Sequence, residues 1–158
     1  MNILVLCTGN SARSILLESL LNTLGQGRIA AYSAGSQPSG KVHPQSLMLL
    51  AQKGHDTSRA SSQSWDVYAQ ADAPQMDLVI TVCGSAASET CPIWPGAPLR
   101  AHWGVEDPAA AKESDWKAAF DTAFEILERR AKAFVDLDWG VLTATQKQAE
   151  LSRIGQIQ

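Results

Sequence analysis

The sequence predicts one α/β domain, three layers deep, with a four-stranded parallel sheet between layers of helix. Three observations point that way. Short apolar runs alternate with helix-length segments along the chain, the pattern of strands joined by crossover helices. The runs are β-prone and apolar without polar interruption, as buried parallel strands are. The length, 158 residues, suits one domain with a full hydrophobic core.

The elements follow in order. Asn2 to Leu6 is the first strand, and a polar, glycine-containing loop follows it. From Ser11 the pattern turns helical: Ile15, Leu16, Ser19, Leu20 and Leu24 share a face, and Gly25 ends it. Arg28 to Ala34 supplies a second strand, and Gln37 to Gly40 a loop. His43 to Lys53 reads as a helix with Pro44 in its first turn and Gly54 as its stop. Thr57 to Tyr68 is serine-rich and polar, a loop with a short helix. Met76 to Val82 is the strongest buried strand. Gly84 to Thr90, between Cys83 and Cys91, is small and polar with little to hold it rigid. Pro92, Pro95, Gly96 and Pro98 then forbid regular structure, and Leu99 to Trp103 forms a fourth strand.

The clearest helix runs from Ser114 to Val135. Trp116, Phe120, Ala123, Phe124, Leu127, Ala131 and Phe134 recur at helical spacing, as a core stripe does. Gly140 breaks the pattern. Residues 1–140 therefore read as the domain, and 141–158 as a helical extension or a loosely held tail.

Composition excludes several classes. A net charge of -3 argues against a nucleic-acid binder, which carries a basic surplus. No apolar run approaches the length that spans a bilayer. The start, Met1 to Leu6, lacks a basic region and reads as a strand rather than a signal peptide, so the expected compartment is the cytoplasm. Thiols stay reduced there, and three cysteines make a poor disulfide framework. His43, His55 and His102 show no metal-ligand spacing with them.

Ligands of parallel α/β sheets bind beyond the carboxyl ends of the strands. Cys7, Cys83 and the Trp103 region all follow predicted strands, so they converge on one edge. The loop Cys7-Thr8-Gly9-Asn10-Ser11-Ala12-Arg13-Ser14 is an oxyanion cradle in this reading. Its amides and the helix that follows offer N–H groups and a positive dipole end. Gly9 lets the backbone bend, Arg13 offers a planar fork, and Ser14 is placed to donate to the Cys7 sulfur. Such surroundings are expected to lower the Cys7 pKa. A chance Cys and Arg six positions apart would look the same by spacing alone. The preceding strand, the Gly and Asn within and the helix beyond favour the cradle. No Gly-Lys-Ser/Thr ending or dinucleotide fingerprint is present.

The stretch Val5 to Ser14 resembles the phosphate loop of low-molecular-weight protein tyrosine phosphatases and of the arsenate reductases built on that fold. The resemblance continues through Tyr32-Ser33-Ala34-Gly35, Asp77 to Cys83, and His102-Trp103-Gly104-Val105-Glu106-Asp107-Pro108. It implies that Cys7 is the nucleophile, that Arg13 and the loop amides hold a tetrahedral oxyanion, and that Asp107 protonates the departing oxygen. An aspartate before a proline is otherwise a common turn cap.

Hydrolysis and reduction diverge after that step, and Cys83 and Cys91 discriminate between them. The resemblance is to thioredoxin-coupled arsenate reductases, although this chain has one residue more between these two cysteines. It implies a Cys7–Cys83–Cys91 disulfide relay, thioredoxin as reductant, and a role in arsenic detoxification. Ala109-Ala110-Ala111 replaces the aromatic residues that grip phosphotyrosine in the phosphatases. The alternatives are a phosphatase acting on phosphate monoesters, with Cys83 and Cys91 as redox protection, and a non-enzymatic oxyanion or redox sensor. No cofactor is required, but some reductases of the family bind a cation near the loop. The matching positions for potassium are Asn10, Glu18, Ser33 and Asp66; equally, Glu18 and Asp66 are ordinary polar groups that organise the loop.

Overall fold

Four short strands pair in parallel in the order β2-β1-β3-β4: β1 (Asn2–Leu6), β2 (Ala30–Ala34), β3 (Leu78–Thr81) and β4 (Leu99–His102). The computed structural model describes residues 1–88, 94, 96 and 98–158. The register sets Leu6 beside Ala34 on one side and Thr81 on the other, with Thr81 in turn beside His102. All four strands therefore end level. The loops after β1, β3 and β4 leave from one edge, and β1 and β3 are neighbours where the winding reverses.

Side chains alternate between the faces of the sheet, and both faces are buried. Ile3, Val5, Leu78 and Ile80 face the larger core, with α1 (Arg13–Gly25), α2 (Pro44–Gln52), α4 (Trp116–Val135) and α5 (Ala144–Gly155). Leu4, Leu6 and Val79 face a smaller one with Tyr68, Met76 and Trp94. The single α/β domain with its four-stranded parallel sheet is the fold predicted, but the layers are unequal. On the second face a short 3-10 turn, Trp65–Ala69, packs against the smaller core.

Local sequence explains the helix limits. His43 caps α2, its Nδ1 accepting from the Gln45 amide, and Pro44 fills the position where no N–H is needed. α1 runs through Gly25, and the chain turns at Gln26 and Gly27, both at positive φ. The residues Glu113–Asp115 form a 3-10 turn, so α4 begins at Trp116 rather than Ser114. Trp116 is half-buried, and Trp103 and Trp94 supply the buried indoles instead. The segment Gly84–Ser88, part of the stretch read as small and polar with little to hold it rigid, is a short helix, α3. Thr143 and Gln146 form a capping box that starts α5. Leu151 and Ile154 of α5 are fully buried in the larger core, and the helix packs on β4 and α4.

Gly35, just past β2, shows how tightly the first loop is backed. A Cβ at this position would stand 2.7 Å from the Cys7 carbonyl oxygen and closer still to that of Thr8. The obstacle is backbone, which cannot step aside. Gly35→Ala is expected to destabilise the protein by about 1–3 kcal/mol, read as a lower denaturant midpoint. A midpoint equal to that of the wild type would show that the loop yields freely.

Candidate active site

Peptide orientation builds the first loop. The Thr8 carbonyl accepts from the Gln37 amide at 3.0 Å and that of Gly9 from the Ser39 amide at 3.0 Å. The Ser62 hydroxyl also donates to Gly9 O at 3.3 Å. The Ser11 carbonyl accepts from the His43 amide at 3.0 Å and the Ser46 hydroxyl at 3.1 Å. With these oxygens turned outward, the amides of the loop face inward. Ala12 gives α1 no side-chain cap, so the N–H groups of its first turn remain available to an anion.

Asn10 makes the bend. It is fully buried and adopts a left-handed conformation, φ 42°, which asparagine tolerates better than most residues. Its Nδ2 donates to the hydroxyls of Ser14 and Ser33, each at 2.9 Å, and its Oδ1 accepts from the Gln63 amide at 2.8 Å. Ser33 in turn donates to Glu18. Burial pushes the Glu18 carboxyl up to about 7, opposed by the Ser33 hydroxyl. Ser14 was expected to donate to the Cys7 sulfur. Its oxygen instead accepts from Asn10, and among the described residues no hydrogen bond joins Ser14 to Cys7.

Cys7 and Cys83 are both buried and free of disulfide bonds, and each thiol shifts the titration of the other. The Cys83 sulfur also accepts from the Thr8 amide at 3.4 Å and the Ala86 amide, in α3, at 3.4 Å. Donation from the Cys7 thiol, helped by these amides, holds Cys83 down to about 5 despite burial. The same hydrogen bond, then burial, pushes Cys7 up, against the pull of the Arg13 charge and the Gly9 amide. The expected lowering at Cys7 is therefore reversed. The Arg13 charge and the Gly9 amide do favour the Cys7 thiolate, but a second sulfur competes for the charge.

Arg13 reaches from the first turn of α1 to the loop after β4. Its Nη1 donates to the Val105 carbonyl at 3.0 Å, and its Nη2 pairs with Asp107 Oδ2 at 3.0 Å. Among the described residues its buried Nε has no hydrogen-bond partner, a donor left for an incoming oxyanion. Asp107 also caps the Pro108–Ala110 turn through Oδ1, which accepts from the Ala109 amide at 3.2 Å. Asp107 is thus a turn cap that lies beside the cradle.

The structure thus brings Cys7, Thr8, Gly9, Asn10, Ser11, Ala12, Arg13, Ser14, Cys83 and Asp107 to one edge of the sheet. Cys91 lies outside the described residues. Asn10, Ser33 and Glu18 are linked. Asp66 accepts from the Ser64 hydroxyl at 3.2 Å, and among the described residues no bond joins it to those three. A cleft of about 690 Å³ opens beside Asp107. Ala110, Ala111, Ala119 and Ala123 line it, and among the described residues no aromatic side chain does.

Sequence reasoning missed Ser62, Gln63 and Arg130. Nothing in a serine-rich loop marks Ser62 and Gln63 as partners of Gly9 and Asn10. Arg130 did leave a signal: it falls in phase with Ala123, Leu127 and Phe134 on the buried stripe of α4.

Comparison with known proteins agrees with this geometry. The low molecular weight phosphotyrosine protein phosphatase family matches residues 2–150. An arsenate reductase of Halalkalibacterium halodurans is 36% identical over 134 residues, covering 83% of this chain and 92% of that protein. The crystal structure of an arsenate reductase from Archaeoglobus fulgidus superposes with a TM-score of 0.67 at 27% identity, covering 85% of this chain and 99% of that one. The tyrosine phosphatase Wzb of Escherichia coli K30 shares the fold, with a TM-score of 0.69 at 23% identity over 85% of this chain and 96% of its own.

The shared proton makes a spectroscopic prediction. Thiolate absorbance of the reduced protein should show a transition near pH 5, which Cys83→Ala removes. Cys7→Ala should move that transition upward, because Cys83 loses its strongest donor. An unchanged transition in Cys83→Ala would assign the acidic thiol to another cysteine.

Proposed function

Because this chain belongs to the low molecular weight phosphotyrosine protein phosphatase family, and its curated relatives are arsenate reductases, we propose that it reduces arsenate to arsenite. The observation that carries the reading is Cys83, a second buried cysteine at the cradle whose sulfur accepts from the amide of Thr8, the residue after Cys7. Hydrolysis needs one cysteine; reduction needs a second within reach of the first. The alanine-lined cleft beside Asp107, without an aromatic grip, supports the same choice over phosphotyrosine.

The reaction follows from the site. Arsenate enters against the loop amides and Arg13. The Cys7 proton passes to Cys83, and the Cys7 thiolate attacks arsenic. Asp107, protonated from solvent once arsenate takes its place on Arg13, gives that proton to the leaving oxygen, which departs as water. Cys83 gives its own proton to solvent and then attacks the Cys7 sulfur. A sulfur–sulfur bond forms, the sulfur–arsenic bond breaks, and its electron pair stays on arsenic, which leaves as arsenite. Cys91 attacks Cys83, releasing Cys7 and forming a Cys83–Cys91 disulfide. Thioredoxin, the expected reductant of the cytoplasm, restores both thiols.

Potassium is the cation proposed for Asn10, Glu18, Ser33 and Asp66. The fit rests on Glu18, a carboxylate buried against one hydroxyl with no cation paired to it among the described residues. A monovalent ion would supply the missing charge and fix the Asn10 bend. The sign follows from linkage: the Glu18 pKa is raised on folding, so its contribution to stability is complete at low pH and lost as pH rises through about 7. Potassium should therefore stabilise the protein at pH 8 more than sodium at equal ionic strength, read as thermal midpoint. Glu18→Gln should erase the difference. Equal midpoints in wild-type protein would remove the ion from this site.

The relay is tested by thioredoxin-coupled arsenate turnover. Wild-type protein should turn over continuously, and Cys91→Ser should release arsenite once per chain and stop. Sustained turnover in that variant would sink the relay. Aryl phosphate hydrolysis without arsenate-dependent thioredoxin oxidation would establish the phosphatase reading instead.

A further inference from the structure

Arg130 is nearly fully buried in α4, 1% exposed, and among the described residues no carboxylate pairs with it. Its donors go to backbone oxygens. Nη1 donates to the Trp103 carbonyl at 2.8 Å and to that of Gly104 at 3.2 Å, and Nε donates to the Ile157 carbonyl at 2.9 Å. Burying a cation without a counter-charge is costly, and carbonyl dipoles offset only part of the cost. A core stripe that needed only packing would carry an apolar residue here, so the contacts themselves call for explanation.

Those contacts converge on the loop that carries the acid. Trp103 and Gly104 begin it, Val105 O receives Arg13, and Asp107 ends it. The far side of the same stretch is tied to β3, because the Trp103 and Val105 amides donate to the Thr81 and Val82 carbonyls at 2.8 and 3.2 Å. The C-terminal segment closes the near side. Trp103 Nε1 donates to the Leu151 carbonyl at 3.0 Å, and Gly155 packs so closely on His102 that a Cβ would come within 2.8 Å of its carbonyl oxygen. Leu151, Gly155 and Ile157 all lie beyond the residues 2–150 matched by the family.

We propose that Arg130, clamped between the C-terminal segment and the root of the acid loop, is a positioning residue that sets Asp107 against the cradle. It touches no substrate. Its carbonyl bonds fix where the loop starts, and five residues of chain carry that placement to Asp107. The inference rests on the proposed role of Asp107 in arsenate reduction.

Amide hydrogen exchange and arsenate kinetics on the full-length chain test it together. In Arg130→Met, amides of residues 103–111 should exchange at least ~10-fold faster while those of β1 and α1 stay near wild type. The arsenate kcat should fall about 10-fold with KM within about twofold, because a displaced acid slows the step without loosening the oxyanion. Arg130→Lys, which keeps the charge and part of the donor set, should lie between Met and wild type in both readouts. If the Met variant does not fold, the Lys variant carries the exchange test by itself. Unchanged exchange in residues 103–111, or acceleration spread evenly over the chain, overturns the proposal, as does a KM change larger than the kcat change. Absence of arsenate turnover in the wild type would instead overturn the function, and the exchange pattern would still decide whether Arg130 braces the loop.

Discussion

Thr8, Gly9 and Ser11 hand their carbonyl oxygens to donors outside the loop, and the rest of the site depends on that. A peptide plane has two ends. Once its oxygen is fixed outward its N–H faces in, and a short loop becomes a concave array of donors. The donors that hold the oxygens are scattered through the chain: Gln37 and Ser39 in one loop, His43 and Ser46 around the start of α2, and Ser62 before the short 3-10 turn. Much of the fold on this edge exists to keep those planes turned. The left-handed Asn10 and the missing Cβ of Gly35 allow the chain to bend tightly enough.

A cradle of amides beside an arginine would hold a thiolate on any lone cysteine placed there. Here two sulfurs compete. Cys7 has the Arg13 charge and the Gly9 amide; Cys83 has the Thr8 and Ala86 amides and a thiol proton from Cys7. On balance these influences lower Cys83 and raise Cys7. In the proposed relay Cys7 attacks arsenic first and Cys83 attacks second, so the competition between the two sulfurs bears on both steps.

Much of this was legible in the sequence because the signals were local. Asn2 to Leu6 reads as a buried strand from its own residues, and Cys7 to Ser14 reads as a cradle from a strand before and a helix after. Convergence of Cys7 and Cys83 on one edge followed from each standing after a parallel strand. What could not be read was set at a distance. Whether Cys7 or Cys83 carries the charge depends on a sulfur 76 positions away in sequence. The helical state of Gly84–Ser88 arises where small residues fold back on the Cys83 carbonyl and sulfur, and composition alone suggested slack. The bond from Asn10 to Gln63 and the thinness of the second helical layer are tertiary facts that no periodicity encodes.

Two arginines grip the loop after β4, and they differ in what it takes to release it. Arg13 pairs with an Asp107 carboxylate whose side chain is 43% exposed. Solvent screens such a pair, so it is weak and readily exchanged. An oxyanion with more charge, set between the loop amides and the free Nε, competes for the guanidinium on good terms. Arg130 holds carbonyls in a site closed to water, and nothing there can replace a bond that breaks. The loop consequently has a fixed root at Trp103 and Gly104 and a releasable tip at Asp107. In the proposed reaction Asp107 rests on an arginine while the site waits and turns to a departing oxygen when it fills, and that division serves both states.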